Sequence, residues 1–258
     1  MNDLSKRLIS GLIGSIILVF IVLKGKYLLS ISVYIVSLIG LREFYKAIEK
    51  TNINPIYSIG YLGSTAVFLS FLFQGRYLSL VFAIITLSLL IYNTFNSKVS
   101  LQHISMTLLG ILYIPFMIFH IIYLDSTKYI WLIFIIAFGT DTFAYISGNL
   151  FGRRKLCPKI SPNKTIEGSI GGILGSTILV IGYSLYFGIN PIWKMIILSI
   201  SCSIVSQLGD LAASKIKRVT GIKDYGFIMP GHGGVLDRFD SIIFTTTVIY
   251  YYITSFLI

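Results

Sequence analysis

Nine largely apolar stretches run along the chain, near residues 8–23, 27–41, 56–74, 77–94, 104–124, 129–148, 167–188, 192–212 and 240–258. Charge, proline and glycine collect in the segments between them. A helix crosses the hydrocarbon core of a bilayer with about 20 mostly apolar residues, so the pattern predicts an all-α fold. The expected architecture is a polytopic membrane helix bundle of about nine transmembrane helices. The polar positions divide it into two regions. Residues 1–127 form N-terminal transmembrane helices with little chemistry in them, and residues 128–258 form a C-terminal catalytic transmembrane domain.

Composition agrees with that pattern. Hydrophobic residues make up 55% of the 258 positions and charged residues 12%, with a mean hydropathy of +0.84, outside the range of soluble globular chains. Retained Lys and Arg mark cytoplasmic loops. On the nine-span reading 16 of the 21 basic residues fall on the side of the N-terminus and 5 on the other. The N-terminus is therefore expected in the cytoplasm and the C-terminus outside. The chain is expected in the cell inner (plasma) membrane, with its active site facing the cytoplasm. Lys6 and Arg7 precede an apolar run that continues to Lys24 without a small-residue cleavage site, which predicts an uncleaved first span.

The net charge of +11 sits in short loops rather than on one continuous basic face. Nucleic acid is therefore not an expected partner, and anionic lipid heads or phosphate-bearing substrates are. Cys157 and Cys202 have no CxxC spacing and are expected as free thiols.

In the first region Arg42, Glu43, Lys46 and Glu49 sit where the second span leaves the membrane and read as a solvated helix end with neighbouring-turn ion pairs. His103 and His120 flank the fifth span without acidic neighbours, which suits packed or interfacial histidines. Pro115 is expected to kink that span.

The second region carries the candidate chemistry. Asp141 lies within the sixth span in GTDTFAYISGNLFG, and Tyr145, four residues on, shares its face. The loop Gly152–Gly168 holds Arg153, Arg154, Lys155, Lys159 and Lys164 against the single acid Glu167. Topology accounts for some of those cations. The string SPNKT places Ser161, Asn163 and Thr165 before the next helix, where they could cap it or bind an anion. Gly168, Gly171, Gly172 and Gly175 have the small-xxx-small spacing of close helix packing rather than that of a phosphate loop.

The stretch Ser206–Asp240 concentrates the rest. Asp210 and Ser214 are one helical turn apart, Lys217 and Arg218 follow, and Asp237 and Asp240 share a face if the ninth span begins there. Three carboxylates near one membrane surface repel one another unless something neutralises them. Mg²⁺, which takes oxygen ligands and typically one or two carboxylates together with phosphates, resolves this. A structural network with Lys217, Arg218 and Arg238 is the other reading. His232 in PGHGG suits either a turn residue or a phosphate donor, and chemistry alone leaves both open.

Ser214, Lys217, Arg218, Lys223, Asp224, Gly226, Pro230, His232, Gly233, Gly234, Asp237, Arg238 and Asp240 together resemble the signature of the phosphatidate cytidylyltransferases, the CDP-diacylglycerol synthases. Met229 stands where that signature more often has Leu, Ile or Phe. A second block looks like the same family, with Asp141, Ser161, Pro162, Lys164, Thr165 and Gly168 in matching places. The first 127 residues resemble it only in being apolar spans. The resemblance implies that CTP and phosphatidic acid give CDP-diacylglycerol and pyrophosphate, in phospholipid biosynthesis, with Mg²⁺ and a possible second, monovalent cation (K⁺). It also implies a homodimer embedded among membrane lipids. On it, Asp210, Asp237 and Asp240 are expected to hold the metal. Ser214, Lys217 and Arg218 join them in catalysis, and Asp141, Ser161, Lys164, Thr165, Lys223, Asp224, His232, Gly233, Gly234 and Arg238 bind substrate. A CTP-dependent lipid (polyprenol-type) kinase is the nearest alternative, and an ion-coupled transporter a more distant one.

Overall fold

A computed structural model describes residues 3–227 and 233–257, with side chains from Gly11 onward. His232 lies outside the described residues, as do Met229 and Pro230. Nine α-helices follow in order, α1 (Asp3–Lys24), α2 (Lys26–Glu49), α3 (Tyr57–Leu72), α4 (Leu78–Phe95), α5 (Leu101–Ile111), α6 (Ile130–Phe151), α7 (Ile166–Tyr186), α8 (Ile192–Val219) and α9 (Leu236–Phe256), among the described residues. Their places match the nine apolar runs. Among the described residues six segments are long and apolar enough to cross a membrane: α2, α4, Leu101–Leu124, α6, α7 and α8. Gly11–Lys24 and α3 are shorter apolar helices. Leu62, Phe95, Leu174 and Ile178 are among many large apolar side chains that face outward, as expected of helices solvated by lipid. This is a polytopic membrane protein.

One element departs from an all-α fold. The basic loop forms a small antiparallel hairpin of β1 (Lys155–Cys157) and β2 (Ser161–Thr165), with Lys155 opposite Thr165 and Cys157 opposite Ser161.

The chain divides into two compact units. One comprises Met1–Ser126 with Lys217–Phe239, the other Thr127–Ile216 with Asp240–Ile258.

In the first unit, α2 supplies Leu41, Phe44 and Tyr45 to a core shared with Val67, Phe71, Ile111 and Phe119, all nearly inaccessible. The Tyr45 hydroxyl donates to the Thr107 carbonyl at 2.8 Å. Its ring is flanked so closely by Gly60 and Gly110 that a Cβ at either would overlap it. Pro115 cannot donate to the helical ladder, and α5 passes there into a π-turn (Leu112–Phe116) and then a 3₁₀ turn (Phe119–Leu124). His120 is buried, with its ring edge-on to Phe71 and Phe116, the packed histidine that was expected.

In the second unit, α6 and α7 lie against each other through glycine. A Cβ at Gly172 would meet the Thr140 carbonyl at 2.8 Å, and one at Gly168 the Ala144 carbonyl at 2.7 Å. The expected small-residue seam is present. Ser176 on α7 and Ser203 on α8 share a hydrogen bond of 2.6 Å, and Gln207 Nε2 donates to the Ser169 carbonyl at 3.3 Å. Helices α8 and α9 meet where Gly209 faces the Asp240 carbonyl, leaving 2.8 Å for a Cβ.

Candidate active site

The second unit builds its polar end from the hairpin and α8. Thr165 has the extended backbone of an N-cap, and its hydroxyl accepts from the Gly168 amide at 3.1 Å. That satisfies one orphan donor of α7, so Thr165 acts on the helix. The only acid of the basic loop is spent on backbone as well: Glu167 Oε2 accepts from the amides of Arg153 and Arg154 at 3.0 and 3.2 Å. This ties the start of the hairpin to the first turn of α7. The hairpin's cationic side chains Arg153, Arg154, Lys155 and Lys159 stay exposed.

Lys164, the penultimate residue of β2, is directed differently. Its ammonium forms an ion pair with Asp210 Oδ2 on α8, both side chains being about a quarter exposed. Ser214, one turn further along α8, places its hydroxyl 3.5 Å from Asp210 Oδ1. Asp240 on α9 is 7% exposed, and its Oδ1 accepts from the Ser241 amide at 2.7 Å. Asp141 and Tyr145 lie on the same exposed face of α6, and Ser161 is half-buried at the start of β2.

The first unit holds the other cluster. Lys217 Nζ donates to Asp237 Oδ1 at 2.7 Å and sits 5.5 Å from the centre of the Tyr225 ring. Asp237 Oδ2 accepts from two backbone amides, Tyr225 at 2.8 Å and Gly234 at 2.9 Å. One carboxylate thus joins the end of α8, the loop after it and the first turn of α9. Gly233 takes a left-handed φ of +86° beside it, where a Cβ would come within 2.8 Å of Asp237 Oδ2 and 3.4 Å of the Asp224 Cβ. Lys223, Asp224, Arg218 and Arg238 are exposed.

The expected residues therefore fall into two groups. Lys164, Asp210 and Ser214 come together in one unit, and Lys217, Asp237, Gly233 and Gly234 in the other. Among the described residues no three His, Cys, Asp or Glu side chains are placed to hold a metal ion together. The donor chemistry still suits Mg²⁺ in the second unit. Asp210 adjoins Gly209, which faces the main-chain carbonyl of Asp240, and the Ser214 hydroxyl is a further oxygen. Two carboxylates with phosphate oxygens and water make an ordinary Mg²⁺ shell.

Glu43 was misread. Expected as part of a solvated helix end, it is 5% exposed. Its Oε1 accepts from the Val235 amide at 3.0 Å and its Oε2 from the Leu236 amide at 2.7 Å. It therefore caps α9 from a position almost two hundred residues earlier in the chain. The available signal was its spacing from Gly40 and Ala47, three and four residues away on the buried face of α2.

Residues 5–256 match the model of the cytidylyltransferase family. The chain is 38% identical to the phosphatidate cytidylyltransferase of Staphylococcus haemolyticus, over 92% of this chain and 94% of that protein. It is 36% identical to that of Staphylococcus aureus over the same shares. With that of Bacillus subtilis it shares 31% identity over 99% of this chain and 100% of the relative.

Proposed function

We propose that this chain, which belongs to the cytidylyltransferase family, transfers the cytidylyl group of CTP to phosphatidic acid, giving CDP-diacylglycerol and pyrophosphate. The observation that carries the reading is the family match over nearly the whole chain. The chemistry of the two lysine–aspartate pairs supports it.

A phosphate oxygen of phosphatidic acid attacks the α-phosphorus of CTP, the bond from that phosphorus to the bridging oxygen of the β-phosphate breaks, and pyrophosphate leaves with the electron pair. The nucleophile is already anionic near neutral pH and needs no general base. The protein's work is positioning and neutralisation of charge. Before substrate binds, Lys164 and Lys217 are matched by Asp210 and Asp237. Phosphate oxygens can take over either ammonium, so each lysine exchanges one anion for another and is never left bare in a poorly hydrated place. Exposed Arg218, Lys223 and Arg238 supply further positive charge.

Asp210 and Asp240 would hold Mg²⁺, with the Ser214 hydroxyl as a neighbouring oxygen donor and Asp141 supporting the ion through water or orienting a substrate. Bound there, the ion supplies Lewis-acid neutralisation of the triphosphate. The expected assignment of Asp237 to the metal rests on the family resemblance alone, since its Oδ2 is occupied by two amides and its Oδ1 by Lys217. No described residue is assigned to the monovalent cation.

The reading also includes nine crossings, a cytoplasmic N-terminus and active face, and a homodimer. The 16-to-5 division of basic residues supports the orientation. Purified full-length protein given phosphatidic acid and CTP labelled at the α-phosphate tests the activity. Label is expected in lipid, with Mg²⁺ required and chelation abolishing it. Label entering lipid only from the γ-phosphate would identify a kinase instead, and nucleotide-independent ion flux in vesicles a transporter.

A further inference from the structure

Nothing in the proposed reaction uses Glu43, yet its carboxylate is closely accommodated by the backbone of the first unit. Both oxygens accept from consecutive amides, Val235 and Leu236, at 3.0 and 2.7 Å. The group is buried. Two glycines make room for it. A Cβ at Gly226 would overlap Oε1, and one at Gly234 would lie 2.6 Å from both oxygens. Gly226 lies within the segment that leads from α8 into α9 and Gly234 just before α9 begins, so the carboxylate meets that segment at two separate places. The next acid along, Asp237, uses the same strategy on the adjoining amides, Tyr225 and Gly234, and spends its other oxygen on Lys217.

We infer that Glu43 is a positioning residue for the reaction: by holding Gly226 and the Gly234–Leu236 turn around its carboxylate, it sets the loop that places Asp237 and, through it, Lys217. It touches no substrate. A buried carboxylate with two amide donors resists displacement because each amide would otherwise be orphaned at a helix start. The first turn of α9 is thereby fixed before any ligand arrives. Supporting groups of this kind matter to turnover because a site held about 1 Å out of place can lose about a hundredfold in rate.

The inference rests on the proposed cytidylyl transfer, and its test keeps the two apart. Glu43→Gln has nearly the same shape but one acceptor oxygen for two amides, and its NH₂ must face the other N–H. Steady-state kinetics on purified full-length protein are expected to show kcat lowered about tenfold to a hundredfold, with KM for CTP within about threefold of the parent. Hydrogen exchange of peptides within residues 217–227 and 233–245 is expected to speed up, while peptides from α6 and α7 keep their protection. Gly226→Ala, which leaves the carboxylate in place but crowds it, is expected to show the same split and serves if Glu43→Gln does not accumulate.

An unchanged kcat in either folded variant overturns the inference. So does a loss of protection throughout the chain, or failure of both variants to fold, since either makes Glu43 a general support. Should the parent itself put no label into lipid, the proposed reaction fails, and the exchange experiment still decides whether Glu43 orders the loop.

Discussion

Replacing Asp237 with Asn keeps the volume of the side chain and removes its charge. The structure says what that costs. Asp237 is 4% exposed and Lys217 15%, so neither can fall back fully on water. The amide of Asn can place its oxygen toward the Tyr225 and Gly234 amides or toward Lys217, not both. In the first case the NH₂ faces an ammonium, and in the second it faces two N–H groups. A hydrogen bond to a charged group contributes about 1.5–3 kcal/mol, and breaking a buried pair by removing one partner costs about 3–5 kcal/mol. Lys217 keeps some solvent contact, so we expect Asp237→Asn to destabilise the protein by about 3 kcal/mol. Lys217→Met should cost less, because Asp237 retains both amides. The assay is denaturant unfolding in detergent of the parent, both single variants and the double variant, with lipid labelling measured on each. The double variant should fall short of the sum of the singles by about 1–3 kcal/mol, and all three should lose turnover. Additivity within about 0.5 kcal/mol, or a Lys217→Met variant less stable than Asp237→Asn, would refute the assignment of Asp237 as the group that joins α8, the loop and α9.

Three further outcomes follow from the second unit. Thr165→Ala removes the N-cap acceptor of α7 and should lower stability by about 1 kcal/mol, read as a downward shift in the unfolding midpoint with Lys164 left in sequence. Gly172→Ala pushes a methyl against the Thr140 carbonyl and Ala144 and should cost about 1–3 kcal/mol by overpacking. Gly182→Ala, with nothing within 4 Å of the new Cβ, should be neutral or slightly stabilising in the same measurement.

The helices were legible because their signal is local. Hydropathy over about twenty residues depends on no distant contact, and the helices begin and end within a few residues of the apolar runs except where polar ends extend them, as at Arg42–Glu49 in α2 and Lys215–Val219 in α8, and at α5, which stops at Ile111 and leaves the rest of its run to the π and 3₁₀ turns around Pro115. Thr165 was legible as a cap for the same reason. The hairpin was not: Lys155–Cys157 and Ser161–Thr165 are short and polar and contain or adjoin Pro158 and Pro162, which read as loop. Glu43 was hidden more deeply. Its partners are main-chain amides far along the chain, which leave no trace in side-chain identity. The cations beside it, Arg42 and Lys46, are themselves exposed and gave the whole segment a solvated look. The glycines that accommodate it, Gly226 and Gly234, stand in the signature block and invited an explanation in terms of substrate.

The lysine–aspartate pairs, one within each unit, bear on how such charges persist beside a membrane. In one unit Asp210 of α8 meets Lys164 of the hairpin, and in the other Lys217 meets Asp237 of α9. Each pair is neutral by itself, so the substrate-free protein avoids the cost of an unmatched charge in poorly hydrated surroundings. On the proposed reaction, phosphate oxygens that draw on Lys164 would release Asp210, which would then require a cation, so that metal demand would be a consequence of substrate binding. Mg²⁺ affinity measured by calorimetry should therefore be weak for the protein alone and rise at least tenfold with a non-hydrolysable CTP analogue present. Equal affinity in both conditions would mean that the aspartates do not depend on their lysines for charge.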